Sequence, residues 1–311
     1  MSIQSEINRI KAAAAAIAAS ITNKGVTVPD GTKLDGMAAL IGSIQTGSGG
    51  DAPTISDASY FFYEGVRTGD EFESMKKYVS RPSKMQSMFD SATIQNLDLS
   101  WLDTSAVANM NYAFHSLKGT PILDLSCLDT RNVANMSYTL AYCEAKQIIL
   151  DGIDTSHVTD MSNMCYACKH ITSIDFSGID TSRAENMSGI FSYCTALTEI
   201  LGFSALAAEG LDIGFPKGGQ YSGTFALRRL TFRTDLPDGQ YSIRSNIDIR
   251  YCSFDRAGMV EMFGTLPDLN GSGVSTSNRK ITIISNPCVK DKSLTSSDRA
   301  IATSKGWTLV E

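Results

Sequence analysis

The sequence repeats itself every 25 or 26 residues, and this period restricts the available folds more than any other feature. Asp103-Thr104-Ser105 recurs as Asp129-Thr130-Arg131, Asp154-Thr155-Ser156 and Asp180-Thr181-Ser182. A second marker keeps the same step: Asn109-Met110, Asn135-Met136, Asp160-Met161 and Asn186-Met187. Met85 lies 25 residues before Met110 and opens the first full unit. A unit this short cannot enclose a core of its own and must bury its apolar face against the next copy.

Each unit has two apolar patterns. Upstream of the Asp-Thr pair, Leu97/Leu99, Leu123/Leu125, Ile148/Leu150 and Ile174/Phe176 alternate with polar residues, which predicts a short strand with one buried face. Downstream, Val107/Met110/Phe114, Val133/Met136/Leu140, Val158/Met161/Cys165 and Ala184/Met187/Phe191 are spaced three and four. That spacing predicts a helix of about two turns, N-capped by Thr or Ser at 104/105, 130, 155/156 and 181/182. A strand and a short helix per unit of about 20–29 residues is the leucine-rich-repeat design.

The unit Met161-Ser-Asn-Met164-Cys-Tyr-Ala-Cys168, Ile174-Asp-Phe-Ser177, Asp180-Thr-Ser182, Asn186-Met187 resembles the BspA-like leucine-rich repeat family, whose pattern is MSxMFxxCxxLxxLDLSxxDTSxVxNM. The likeness covers about Met85–Leu206 and, less fully, the lead-in at Tyr60-Phe61-Phe62-Tyr63. Cys165 stands where the family has Phe, Asp160 where it has Asn, and Leu140 ends a unit lacking the second Met. The resemblance implies a surface protein of bacteria, or a protein of phages and prophages. The turn Gly25-Val26-Thr27-Val28-Pro29 and the ending Lys280-Ile-Thr-Ile283 to Gly306-Trp307 are similar to the ends of phage tail and fibre proteins.

Outside the repeat, Ile3, Ile7, Ile10, Ala14, Ile17 and Ile21 form a heptad seam, and isoleucine at both seam positions favours trimers. The alternative is a helical hairpin closing on a second stripe, Leu34, Met37, Leu40, Ile41 and Ile44. Met1–Glu6 lacks the early positive charge of a secretory leader, and the Ala12–Ala16 run is too short for an anchor. Gly47–Pro53 reads as a linker. Beyond about residue 201 the period fades. There, strands are expected at Leu230–Phe232, Ile243, Ile247–Ile249 and Ile281–Ile284, with helices over Met259–Leu266 and from Ser297 or Asp298 to Gly306.

Composition removes several functions. The 311 residues carry 19% charged side chains and a net charge of −6, with no Lys/Arg cluster, so nucleic acid and anionic membranes are not expected partners. No apolar run approaches the roughly 20 residues of a membrane span. Seven cysteines cannot all pair within one chain.

Candidate chemistry is sparse. Cys143, Cys168 and Cys194 share a repeat position with Leu117 and Ala92, so Cys165-x-x-Cys168 reads as buried thiols before it reads as a metal or redox pair. Asp103, Asp129, Asp154 and Asp180 form a column, expected to accept from neighbouring backbone N–H groups; a Ca²⁺ reading would need six to eight oxygens. His115, His157 and His170 occupy different repeat positions, and no catalytic motif is present. Aromatics remain: Tyr112, Tyr138, Tyr166 and Tyr193 recur beside the expected helices, and Trp101 breaks the consensus where other units carry Cys127, Gly152 and Gly178. Such residues favour contact surfaces; the alternative is that the tyrosines pad the outer edge of the repeat, and Trp101 is the better single candidate because it breaks the consensus.

The expected architecture is an α/β repeat, a short leucine-rich-repeat solenoid with a helical anchor and an α+β cap. Its parts are residues 1–46 (anchor, with Ile3, Ile7, Ile10, Ile17 and Ile21 as seam), 47–53 (linker), 54–84 (N-terminal cap), 85–206 (repeats) and 207–311 (C-terminal cap). The expected function is a non-enzymatic virion component of a phage tail, baseplate or head fibre, without cofactor or metal. It would dock on other virion proteins through residues 1–46, trimerise, and bind a bacterial or mucosal surface receptor through the repeats. The alternative is a bacterial BspA-like cell-surface adhesin.

Overall fold

The computed structural model describes residues 58–59, 61–63, 65–67, 72–73, 76, 79–203, 226–233, 246–250, 252–270 and 279–311. The isoleucine seam, the linker and the strand expected at Ile243 lie outside the described residues.

Short strands recur once per unit: β1 (Gly65–Arg67), β2 (Ala92–Ile94), β3 (Ile122–Asp124), β4 (Gln147–Ile149), β5 (Ser173–Asp175), β6 (Glu199–Phe203) and β7 (Arg229–Phe232). Every pairing is parallel: β1 with β2, β3 with β4, and β5 with β6 and then β7. The register follows the sequence period, Leu123 facing Ile148 and Ile174 facing Ile200. Alternation explains the strands. Leu123, Ile148 and Ile174 are buried, and the residues just before them are exposed. In the first unit the strand falls at Ala92–Ile94 rather than at Leu97/Leu99. There the Leu97 amide donates to Thr120 Oγ1 at 3.2 Å, and that hydroxyl donates to the Ile94 carbonyl at 2.8 Å. A side chain thus replaces the ladder, while Leu97 and Leu99 stay buried.

The helix expected in each unit is absent between residues 85 and 203; these segments are chained turns. Alternate amides donate to the next unit, Met110 to Asn135, Tyr112 to Ser137, Phe114 to Thr139 and Ser116 to Ala141. The amides between them close four-residue turns, Ala113 to Met110, His115 to Tyr112 and Leu117 to Phe114. The following unit repeats the scheme from Met136, Tyr138, Leu140 and Tyr142. An α-helix would direct all these donors within one unit; here half of them tie neighbouring units together. Thr104, Thr130 and Thr155 therefore cap no helix. Their buried hydroxyls donate to the carbonyls of Asp129, Asp154 and Asp180 in the next unit, at 2.9, 2.8 and 2.9 Å.

One apolar cluster runs from Ala58 to Trp307. Phe62, Phe89 and Phe114 stack in successive units at 5.1 and 5.4 Å with rings within 5° of parallel. Burying each such ring contributes about 1.5–3 kcal/mol, and none of these units could bury it alone.

The segment read as a C-terminal cap keeps the parallel pairing but lengthens the step. β8 (Ile247–Asp248), β9 (Lys280–Thr282) and β10 (Thr308–Val310) form a separate three-stranded parallel sheet with β9 in the middle. Real helices occur here: α1 (Arg256–Thr265), α2 (Pro287–Lys290) and α3 (Ser296–Ser304). Asp255 caps α1, and Thr295 with Asp298 forms a capping box on α3, so the cap lies ahead of the Ser297 or Asp298 that the sequence indicates. α1 lies on β7, where Arg229 pairs with Glu261 at 2.7 Å and a Cβ at Gly258 would collide with the Arg228 carbonyl.

Candidate functional site

The chained turns place aromatic side chains from four successive units side by side. Tyr112 and Tyr138 hold equivalent positions in adjacent units, and their rings stack at 4.8 Å and 2°. That separation is the spacing of paired strands, so it follows from the register of the units. Tyr142 and Tyr193 share a second position, with Ala167 in the unit between. Tyr166 occupies a third, equivalent to His115. Tyr166 joins the set, its ring 5.3 Å from Tyr142, 5.1 Å from Tyr193 and 6.5 Å from Tyr138. His115 packs between Tyr112 and Tyr142 at 5.0 and 5.4 Å, and its Nδ1 lies 2.8 Å from the buried carboxylate of Asp90.

The backbone beneath this strip is unusual. Tyr112, Tyr138, Tyr142 and Tyr193 all hold positive φ, between 55° and 63°. A side chain in that conformation costs about 1–2 kcal/mol. The turn that Tyr138 occupies is formed in the next unit by Asn163, a residue suited to it. Burial pushes the Tyr166 hydroxyl up to about 12, helped by the neighbouring Tyr142.

Beside Tyr142 lies an open cleft of about 360 Å³ lined by Ser116, Lys118, Glu144, Lys169 and His170, among others. Lys118, Glu144 and Lys169 form one column. Lys118 and Glu144 pair at 3.7 Å, and Lys169 has no acidic partner among the described residues. Tyr142 is 45% exposed, one of two large hydrophobic side chains so open among the described residues.

Of the aromatic residues singled out from sequence, Tyr112, Tyr138, Tyr166 and Tyr193 come together and Trp101 does not. Trp101 stands edge-on to Phe62 and Phe72 at 6.5 and 6.0 Å, and its indole N–H donates to the Asp98 carbonyl at 2.7 Å. It covers the core of the first units. Sequence reasoning set His115 aside because the histidines hold different repeat positions, and it missed Tyr142 and the Lys118/Glu144/Lys169 column. The signal was available: these three residues each follow the Leu/Cys core position of their unit.

The remaining columns are structural. Asp103, Asp129, Asp154 and Asp180 accept from the amides two residues on, at 3.0, 3.3, 2.9 and 2.8 Å. Asn109, Asn135, Asp160 and Asn186 do the same at 2.9, 2.8, 2.9 and 3.1 Å. Hydrogen bonds from Ser105, Arg131 and Ser156 hold Asp103, Asp129 and Asp154 below the usual carboxylate range. Among the described residues, no three His, Cys, Asp or Glu side chains are grouped to hold a metal ion. The seven cysteines are free thiols, and all but Cys127 are buried. Cys168 donates to the Leu140 carbonyl and Cys194 to that of Cys165, at 3.0 and 2.9 Å. No described helix is long and apolar enough to cross a membrane.

The same stretch is the part of the chain that comparison recognises. Residues 57–173 and 121–202 match the family model described as Mycoplasma protein of unknown function, DUF285. The two matches overlap, as expected of one model laid twice along a tandem repeat, and they are consistent with the BspA-like likeness of the unit. No curated protein matches the chain.

Proposed function

We propose that the protein is a non-enzymatic display scaffold, a short leucine-rich-repeat solenoid that attaches to a bacterial or mucosal surface through its tyrosine strip. The observation that carries this reading is the strip's backbone: four tyrosines held at positive φ, where Asn or Gly fits at lower cost. Strain of this kind is retained where the side chain serves a contact. The stacked units support it further, because they set the rings at fixed intervals on a rigid surface. We place the scaffold on a phage virion, as part of a tail, baseplate or head fibre, with residues 1–46 as the trimeric anchor. The family match, to a model described from a bacterium, favours the second reading of a BspA-like adhesin on a bacterial cell surface.

Attachment is tested by retention of the fluorescently labelled full chain on bacteria and on mucin-coated surfaces. Replacing Tyr112 and Tyr138 together by Ser is expected to lower retention at least tenfold with the fold intact. Unchanged retention refutes the strip as the contact face. Sedimentation equilibrium tests the anchor, a trimer being expected. The genes beside this one separate the two settings, since capsid and tail genes fit only the virion.

A further inference from the structure

We propose that the cleft beside Tyr142 binds a sugar residue bearing a carboxylate. This names the ligand class of the contact face and rests on the tyrosine strip being that face.

Four observations converge on the cleft. Tyr142 meets His115 and Tyr166 only edge-on, at 71° and 60°. Among the described residues no ring lies parallel to it, whereas Tyr112 and Tyr138 cover each other. An uncovered ring face carries the negative end of the π quadrupole and attracts the C–H face of a pyranose. The charge beside it is unbalanced. Lys118 is paired with Glu144, and Lys169 is left over, a local positive surplus on a chain of net charge −6. A single exposed ammonium offsets one negative charge, and a carboxylate carries that one charge and accepts charge-assisted hydrogen bonds from it. The Ser116 hydroxyl and His170 imidazole also lack partners among the described residues and suit ring hydroxyls. The volume, about 360 Å³, lies near the lower end of the roughly 300–1,000 Å³ of small-ligand pockets.

An acidic peptide fits less well. A peptide strand needs free backbone groups to pair with. The amides of Ser116, Tyr142 and Ala167 already donate to Ala141, Tyr166 and Ser192 in the next unit. With those three amides engaged, an added strand finds no continuous row of donors, whereas the Lys169, Ser116 and His170 side chains suit a ring with hydroxyls and a carboxylate.

The test is a calorimetric or NMR titration of the full chain with sodium glucuronate, glucose and sodium glutamate. These supply ring and carboxylate together, ring alone, and the carboxylates of an acidic amino acid without a ring. Glucuronate is expected to bind in the millimolar range, about tenfold tighter than either of the others. Lys169→Gln is expected to bring glucuronate down to the level of glucose, and Tyr142→Ala to abolish binding of both sugars. Circular dichroism checks that both variants remain folded. Glucuronate binding no tighter than glucose overturns the role of Lys169. Glutamate equal to glucuronate overturns the sugar in favour of an acidic peptide. No binding of any probe at about 50 mM overturns the site. If that failure occurs while the Tyr112/Tyr138 serine variant still loses surface retention, the ligand class falls and the attachment reading stands. If retention is also unchanged, both fall.

Discussion

Tyr138→Asn separates a tyrosine kept for contact from one kept for packing. Tyr138 holds φ 55°, and the equivalent turn one unit later is made by Asn163 at φ 53°. Asparagine relieves the strain, a gain of about 1 kcal/mol out of the 1–2 kcal/mol that a bulky residue incurs there. Against this stand the ring contacts with Tyr112 at 4.8 Å and Tyr166 at 6.5 Å. Such pairs are worth about 0.5–1.5 kcal/mol each, the upper end applying to the stacked partner. The two effects nearly cancel, and the variant is expected to be destabilised by no more than about 1 kcal/mol. Surface retention should meanwhile drop severalfold. Urea unfolding followed by tryptophan fluorescence suits the measurement, because Trp101 reports on the first units and Trp307 on the end of the common core. A loss above about 2 kcal/mol would mean that the tyrosines are edge padding, and the contact reading would fail.

Three further outcomes follow from the same geometry. Thr155→Val removes a buried hydroxyl that donates to the Asp180 carbonyl and accepts from its amide at 2.9 and 2.8 Å. It should cost about 2–3 kcal/mol, while Thr155→Ser costs under about 1 kcal/mol; equal losses in urea melts would show that the hydroxyl does not tie the units. Of the seven thiols, only Cys127 should react readily with Ellman's reagent in the native state, because the other six are buried. Burial pushes Cys143 and Cys288 up to about 11, and a hydrogen bond with Cys194 together with burial raises Cys168 further; fast reaction of a second thiol contradicts the packing. Asp298 is held well below the usual carboxylate range by hydrogen bonds from Arg256 and Thr295, and Asp103, Asp129 and Asp154 are also lowered. Their folded values lie below the unfolded ones, so their stabilisation is complete above about pH 4 and is lost as pH falls further. Asp298→Asn should therefore lower stability at pH 7 and soften the acid limb of the melting curve, and an unchanged limb would exclude Asp298 from it.

The repeat, its register and the buried columns were legible because each depends on residue type at a fixed spacing. Leu123, Ile148 and Ile174 had to face one way, and the Asx and Thr positions recur without a gap. The local conformation after Asn-Met was not legible. Three-four spacing of Val107, Met110 and Phe114 marks one face of a helix, yet a chain of overlapping four-residue turns returns to the core at the same intervals. The two solutions differ in where the backbone donors go, and hydrophobic spacing does not report that. What does report it is the residue between the core positions. Ser87, Ser91, Ser116, Asn163 and Gly189 sit at left-handed positions, where a helix would favour Ala, Leu or Glu. The tyrosines at the same positions masked the signal, because Tyr is no turn former.

That mismatch bears on function. A turn-built unit sends half its amides to its neighbour, so every side chain on the turn face is fixed in register with the unit above and below. Helical units would leave their outer rings free to change rotamer independently. Here the hydrogen bonds from Tyr112 to Ser137 and from Phe114 to Thr139 hold the backbones of Tyr112 and Tyr138 in register, and the rings stack on each other at 4.8 Å. The strip is therefore preordered, and a ligand that binds along it meets little further loss of side-chain freedom. The Lys118/Glu144/Lys169 column obeys the same rule, since each residue follows a buried core position, Leu117, Cys143 or Cys168. Exchanging Glu144 for Lys would place three like charges one unit apart and weaken the stack. Glu144 thus has a structural task between its two lysines, and Lys169, whose charge it does not pair, is the one left for a partner.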